Sequence, residues 1–135
     1  MTARILIVED NPANLELARY LLTAYGYEVL TAQDGAQGLR VLREDRPEAV
    51  LCDLHMPGLD GYGVVAEIRK DSGLRGCTVI AVTASSMSAD RQSAMAAGFD
   101  GFISKPIDAE TFVAEVEAHL PAEHHAQRPR TPGTG

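Results

Sequence analysis

The sequence predicts an α/β domain built as a doubly wound parallel sheet, and three observations carry that prediction. Short apolar runs recur at residues 5–8, 29–32, 49–52, 79–82 and 101–103. They are continuous rather than alternating and rich in branched residues, the pattern of strands covered on both faces. Between them lie longer stretches with apolar residues at helical spacing, so strand and helix alternate five times. Right-handed crossovers then distribute the helices over both faces of the sheet.

Each element has its own signal. Asn11 can cap the first helix and Pro12 suits its first helical position. Its apolar stripe is Leu15, Ala18, Leu22 and Tyr25, and Gly26 fits its C-terminus. Asp34 caps the second helix, which carries Leu39 and Leu42. Asp60 caps the third, with Val64, Val65 and Ile68. Ser88 is the expected cap of the fourth, residues 88–97, which ends at Gly98; its small, polar composition makes it the least firmly packed. Asp108 is the expected cap of the fifth, with Phe112, Val113, Val116 and Leu120. From Pro121 the periodicity stops. The expectation is one domain over residues 1–120 and a flexible tail over 121–135.

Composition limits the function classes. With 135 residues, 45% apolar and 23% charged, the chain has the makings of a core, and a largely disordered chain is excluded. No run approaches the ~20 apolar residues of a membrane span, and the start turns acidic too soon for a signal peptide. Twelve basic against 19 acidic residues give a net charge of -7. Such a surface does not attract nucleic acid; it favours cations and basic protein patches. Cys52 and Cys77 lie in or beside apolar runs, without metal-ligand spacing. They read as buried free thiols in a cytoplasmic protein.

In open parallel sheets, sites form beyond the carboxyl ends of the strands. The residues there are Glu9 and Asp10 after the first run, Asp53 after the third, Thr83 and Ala84 after the fourth, and Ser104, Lys105 and Pro106 after the fifth. One edge therefore collects three carboxylates, a hydroxyl and an ammonium. The carboxylates repel, so a cation must offset them. Lys105 supplies one charge, and Mg2+ suits one or two carboxylates together with water and a phosphoryl oxygen. A carboxylate can itself be a nucleophile and form an aspartyl phosphate. Mg2+, lysine and hydroxyl are what phosphoryl transfer needs to neutralise spreading charge.

The segments ILIVEDN at 5–11, DLHMPGLDG at 53–61, VTA at 82–84 and FISKP at 102–106 resemble the receiver domain of two-component response regulators, over roughly residues 3 to 120. Each segment alone is weak; in order and in register with the strand ends, they are specific. The resemblance implies a flavodoxin-like (βα)5 fold with strand order 2-1-3-4-5 and a cis Lys105-Pro106 bond. It implies that Asp53 is the phosphoacceptor, fed by the phosphohistidine of a histidine kinase or histidine phosphotransferase. Asp10, Asp53 and the backbone carbonyl of His55 would hold Mg2+, with Glu9 acting partly through water. Thr83 and Lys105 would contact the phosphoryl group, and Phe102 would change rotamer as Thr83 moves. Ala84 would leave the site open to a partner.

Asp60 and Gly61 read as turn and cap, and Met56, Pro57 and Gly58 as loop-shaping residues, so these are structural. Alone, Thr83 reads as strand, Phe102 as core and Lys105 as a solvated charge; their convergence on one edge changes that. The His55 side chain is expected at the pocket mouth, controlling entry of water. His124 and His125 are expected to be solvated. The function expected is a stand-alone phosphoryl-dependent switch, not an enzyme beyond turnover of its own phosphoryl group. Output is expected through protein contact on the fourth helix, fifth strand and fifth helix, with a homodimer formed on phosphorylation as one further partner class. A receiver module of a hybrid kinase or longer regulator is the alternative. A flavodoxin-like electron carrier is disfavoured because residues 9–14 repel phosphate. A dehalogenase-like phosphatase is disfavoured because His55 stands where a second Asp is wanted.

Overall fold

In the computed structural model, residues 3–84 and 88–125 are described. They form β1 (Arg4–Val8), α1 (Pro12–Ala24), β2 (Glu28–Ala32), α2 (Gly35–Asp45), β3 (Ala49–Asp53), α3 (Gly61–Lys70), β4 (Thr78–Thr83), α4 (Ser88–Ala97), β5 (Gly101–Ser104) and α5 (Phe112–His119), followed by a short 3-10 turn, Ala122–His124. Every strand pair is parallel, in the order β2-β1-β3-β4-β5. This is the flavodoxin-like arrangement, and no described helix is long and apolar enough to cross a membrane.

Strand alternation divides the core in two. Ile5, Ile7, Leu51, Ile80 and Ile103 face α1 and α5, where they bury Leu22, Phe112 and Val116. Leu6, Val8, Val50, Cys52, Val79 and Ala81 face the other side and bury Leu42, Val64, Val65 and Ile68 of α2 and α3. The central strands β3 and β4 are buried along their whole length. β2 differs from the expectation of strands covered on both faces: only Ala32 is fully buried, because β2 is an edge strand.

The expected caps hold at three helices. Asn11, Asp34 and Asp60 accept hydrogen bonds from the backbone N–H groups of Asn14, Gln37 and Gly63. Gly26 and Gly98 follow α1 and α4 with φ of 99° and 116°, a region glycine enters without strain. Asp108 does not cap α5. It opens a preceding turn, accepting from the N–H of Glu110 through its side chain and from Thr111 and Phe112 through its carbonyl. The helix therefore starts at Phe112. Ser88 is the first residue of α4 rather than its cap, and the position before it lies outside the described residues. Tyr25 is 38% exposed, because it follows the last turn of α1, whereas Leu22 within the helix is buried in the core.

Of the tail expected from Pro121, residues 121–125 are described. The His125 ring nitrogen Nε2 sits 2.8 Å from the carbonyl of Glu117 and 3.1 Å from that of Leu120. His124 carries a buried Nδ1. Both histidines are therefore partly buried rather than solvated: the 3-10 turn returns the His125 ring to the end of α5, and His124 lines a pocket with Arg46, Pro47, Leu74 and Cys77. Residues 126–135 of the expected tail lie outside the described residues.

Candidate functional site

Register builds the site. Val8 pairs with Cys52, Asp53 with Val82, and Thr83 with Ser104. Each strand thus ends within a residue of its neighbour, and Glu9, Asp10, Asp53, Thr83 and Lys105 meet on one edge. Glu9, Asp53 and Thr83 are 4%, 6% and 0% exposed, whereas Asp10 and Ala84 are exposed.

Lys105 bridges the two buried acids. Its Nζ lies 2.6 Å from Glu9 Oε1 and 3.0 Å from Asp53 Oδ2. Its own N–H donates to the carbonyl of Thr83 at 2.7 Å, which anchors the base of the side chain to β4. Burial works against the ammonium, yet hydrogen bonds to Glu9 and Asp53 outweigh it and hold Lys105 above the usual lysine range. Burial likewise raises the Glu9 carboxyl above the ordinary range, more than its bonds from Lys105 and the Asn11 N–H lower it. The remaining oxygen of Asp53, Oδ1, accepts the backbone N–H of His55 at 3.1 Å. The Lys105–Pro106 peptide is cis.

Glu9, Asp10 and Asp53 each offer an oxygen, and these lie within 4.8 Å of one another. Oxygens shared by one Mg2+ at about 2.1 Å stand roughly 3–4 Å apart, so the cluster needs only a small closure to fit that ion. The donor set is all oxygen and anionic, as a hard cation requires.

The loop after β3 carries His55, which is exposed at the rim, and Pro57, which is also exposed. Gly58 turns with φ of 76°. Gly61 lets α3 start hard against the strand: a Cβ there would stand 2.5 Å from the Asp53 carbonyl oxygen. Cys52 alternates away from Asp53 into the α2–α3 core, as expected for neighbouring strand residues. Burial pushes its thiol up, and Cys77 is pushed up to about 12 for the same reason.

Phe102 is 7% exposed and turned into the core, with the Arg91 guanidinium 5.1 Å from its ring centroid. Sequence reasoning missed Arg91. Helical spacing places it on α4, but which side of α4 meets β5 is decided by packing.

A five-stranded 2-1-3-4-5 sheet with an acid cluster and a lysine at its carboxyl edge defines a class, and the comparisons agree with it. Residues 5–117 match the response regulator receiver domain family, and the chain belongs to that family. Among curated relatives it is 37% identical over 120 residues to the polar-differentiation response regulator DivK of Brucella ovis, covering 89% of this chain and 98% of the relative. Among solved structures, the chemotaxis response regulator CheY4 of Vibrio cholerae superposes with a TM-score of 0.85 at 27% identity, over 89% of this chain and 100% of that one. The receiver domain of sensor histidine kinase PA1611 from Pseudomonas aeruginosa PAO1 gives 0.76 at 35% identity, over 87% and 93% of the two chains. That structure holds a magnesium ion coordinated in its active site cleft.

Proposed function

We propose that the chain is a phosphoryl-operated switch in which Asp53 accepts a phosphoryl group from the phosphohistidine of a histidine kinase or phosphotransferase. The observation that carries this reading is the buried Asp53 carboxylate, bridged by Lys105 and clustered with Glu9 and Asp10. Residues 1–120 act as one signalling unit, with 121–135 appended to it.

Asp10, Asp53 and the His55 carbonyl would hold Mg2+, with Glu9 contributing partly through water. The ion supplies charge neutralisation on the phosphoryl oxygens. An Asp53 oxygen attacks phosphorus as the P–N bond breaks, and the departing imidazole nitrogen keeps the electron pair and takes a proton. Lys105 already lies against Asp53 and has only to follow the new phosphoryl oxygens. Thr83, buried at the end of β4, supplies a hydroxyl on the same edge. Its movement is coupled to Phe102, so the α4-β5-α5 face changes for a protein partner. Ala84 leaves the approach open, and Pro57, Gly61 and Pro106 shape the loops. The acidic balance of the chain suits protein rather than nucleic-acid partners.

The test is the intact mass after incubation with acetyl phosphate and Mg2+. A labile gain of one phosphoryl group is expected, lost in Asp53→Asn and in chelator. A gain that persists in Asp53→Asn places the acceptor elsewhere and overturns the assignment.

A further inference from the structure

Leu59, in the loop from β3 to α3, is gripped from two helices through glycine. A Cβ on Gly35, the first residue of α2, would overlap the backbone carbonyl oxygen of Leu59. A Cβ on Gly63, in the first turn of α3, would overlap Leu59 Cδ1. The far end of the loop is fixed as well. Asp60 caps α3, the Gly61 N–H donates to the Leu54 carbonyl at 3.2 Å, and Val64, Val65 and Ile68 are fully buried. With α3 fixed, the part of the loop left to follow the Leu59 backbone runs back through the exposed Gly58 and Pro57 to His55, whose N–H is tied to Asp53.

We propose that Gly35 is a positioning residue for the Mg2+ site: by letting α2 seat against the Leu59 backbone, it sets the loop path that presents the His55 carbonyl. This rests on the Mg2+ assignment made above. Mg2+ demands near-ideal octahedral geometry, so displacing one ligand-bearing loop costs affinity. Supporting residues outside a metal's ligand set typically change affinity by about 10–100-fold when altered. The two glycines should differ. At Gly35 the obstacle is backbone. At Gly63 it is the tip of a leucine that can rotate.

The experiment is calorimetric titration with Mg2+ of the parent, Gly35→Ala, Gly63→Ala and Gly101→Ala, with melts in chelator beside it. Gly101 begins β5 at the opposite end of the sheet, where a Cβ would overlap the His119 ring. It therefore reports the effect of general loosening. The Mg2+ Kd is expected to rise about tenfold or more in Gly35→Ala, far less in Gly63→Ala, and not at all in Gly101→Ala. A parental Kd in Gly35→Ala, or an equal rise in Gly101→Ala, overturns the proposal while the metal site stands. A parent that does not bind Mg2+ overturns the site assignment itself. Should Gly35→Ala fail to fold on its own, it is titrated in a stabilising osmolyte with the parent in the same buffer, and equal Kd values there overturn the proposal.

Discussion

Replacing Lys105 with Met keeps the length of the stem and deletes the ammonium that bridges the two buried acids. Glu9 and Asp53 side chains are 6% and 8% exposed, and the lysine side chain is 14% exposed. Two carboxylates would then face each other, and exposed Asp10, with no cation between them. Breaking a buried pair typically costs about 3–5 kcal/mol, and the partly open edge argues for the lower end, about 3 kcal/mol. For a domain of this size that is a fall in Tm of about 10 °C. The loss should belong to the metal-free state. Saturating Mg2+ restores a counter-charge, so Lys105→Met should gain more from the ion than the parent does. The assay is a thermal melt of both proteins in chelator and in Mg2+. If Lys105→Met melts with the parent in chelator, or if Mg2+ raises both by the same increment, the view of Lys105 as the resident counter-ion is wrong.

Further expectations concern single sites. His55→Ala should shorten the phosphoryl lifetime by opening the rim to water; equal dephosphorylation rates in the two proteins would remove any gating role. Arg69 donates to the carbonyls of Gly98, Arg75 and Cys77 and pairs with Asp100 at 2.8 Å, tying α3 to the loops before β4 and β5. Arg69→Ala should cost about 2–4 kcal/mol in denaturant unfolding, with unchanged Mg2+ affinity as the check that the loss is structural. The Cys77 thiol, raised from the usual 9.0 to about 12 by burial, stays neutral in the fold while the unfolded chain ionises. Its contribution is therefore fully present below about pH 9 and is lost as pH rises toward about 12. Stability curves of Cys77→Ala should fall less steeply than the parent's over that window, and parallel curves would count against it. Both native thiols should resist an aromatic disulfide reagent at pH 8 and react once unfolded.

The alternation of branched apolar runs with helical stripes determined the layers, the strands and three of the caps. Asn11, Asp34 and Asp60 act locally, each reaching an N–H a few residues ahead, so no tertiary information is needed to read them. The site residues were legible for a related reason. In a parallel sheet every strand ends on the same edge, so Glu9, Asp10, Asp53, Thr83 and Lys105 could be gathered before any coordinate existed. Tertiary structure alone decided the rest. β2 turned out half exposed because edge position is a property of the whole sheet, and Tyr25 was left partly exposed because it falls just past the last turn of α1. Asp108 served a turn because the chain from β5 must first swing across the sheet edge before α5 can pack. The pairing of Lys105 with Glu9 as well as Asp53, the Arg91 guanidinium over Phe102 and the seating of Leu59 against Gly35 join residues far apart in sequence. Local propensity and periodicity describe one element at a time, whereas these contacts depend on the register and distance at which separate elements meet.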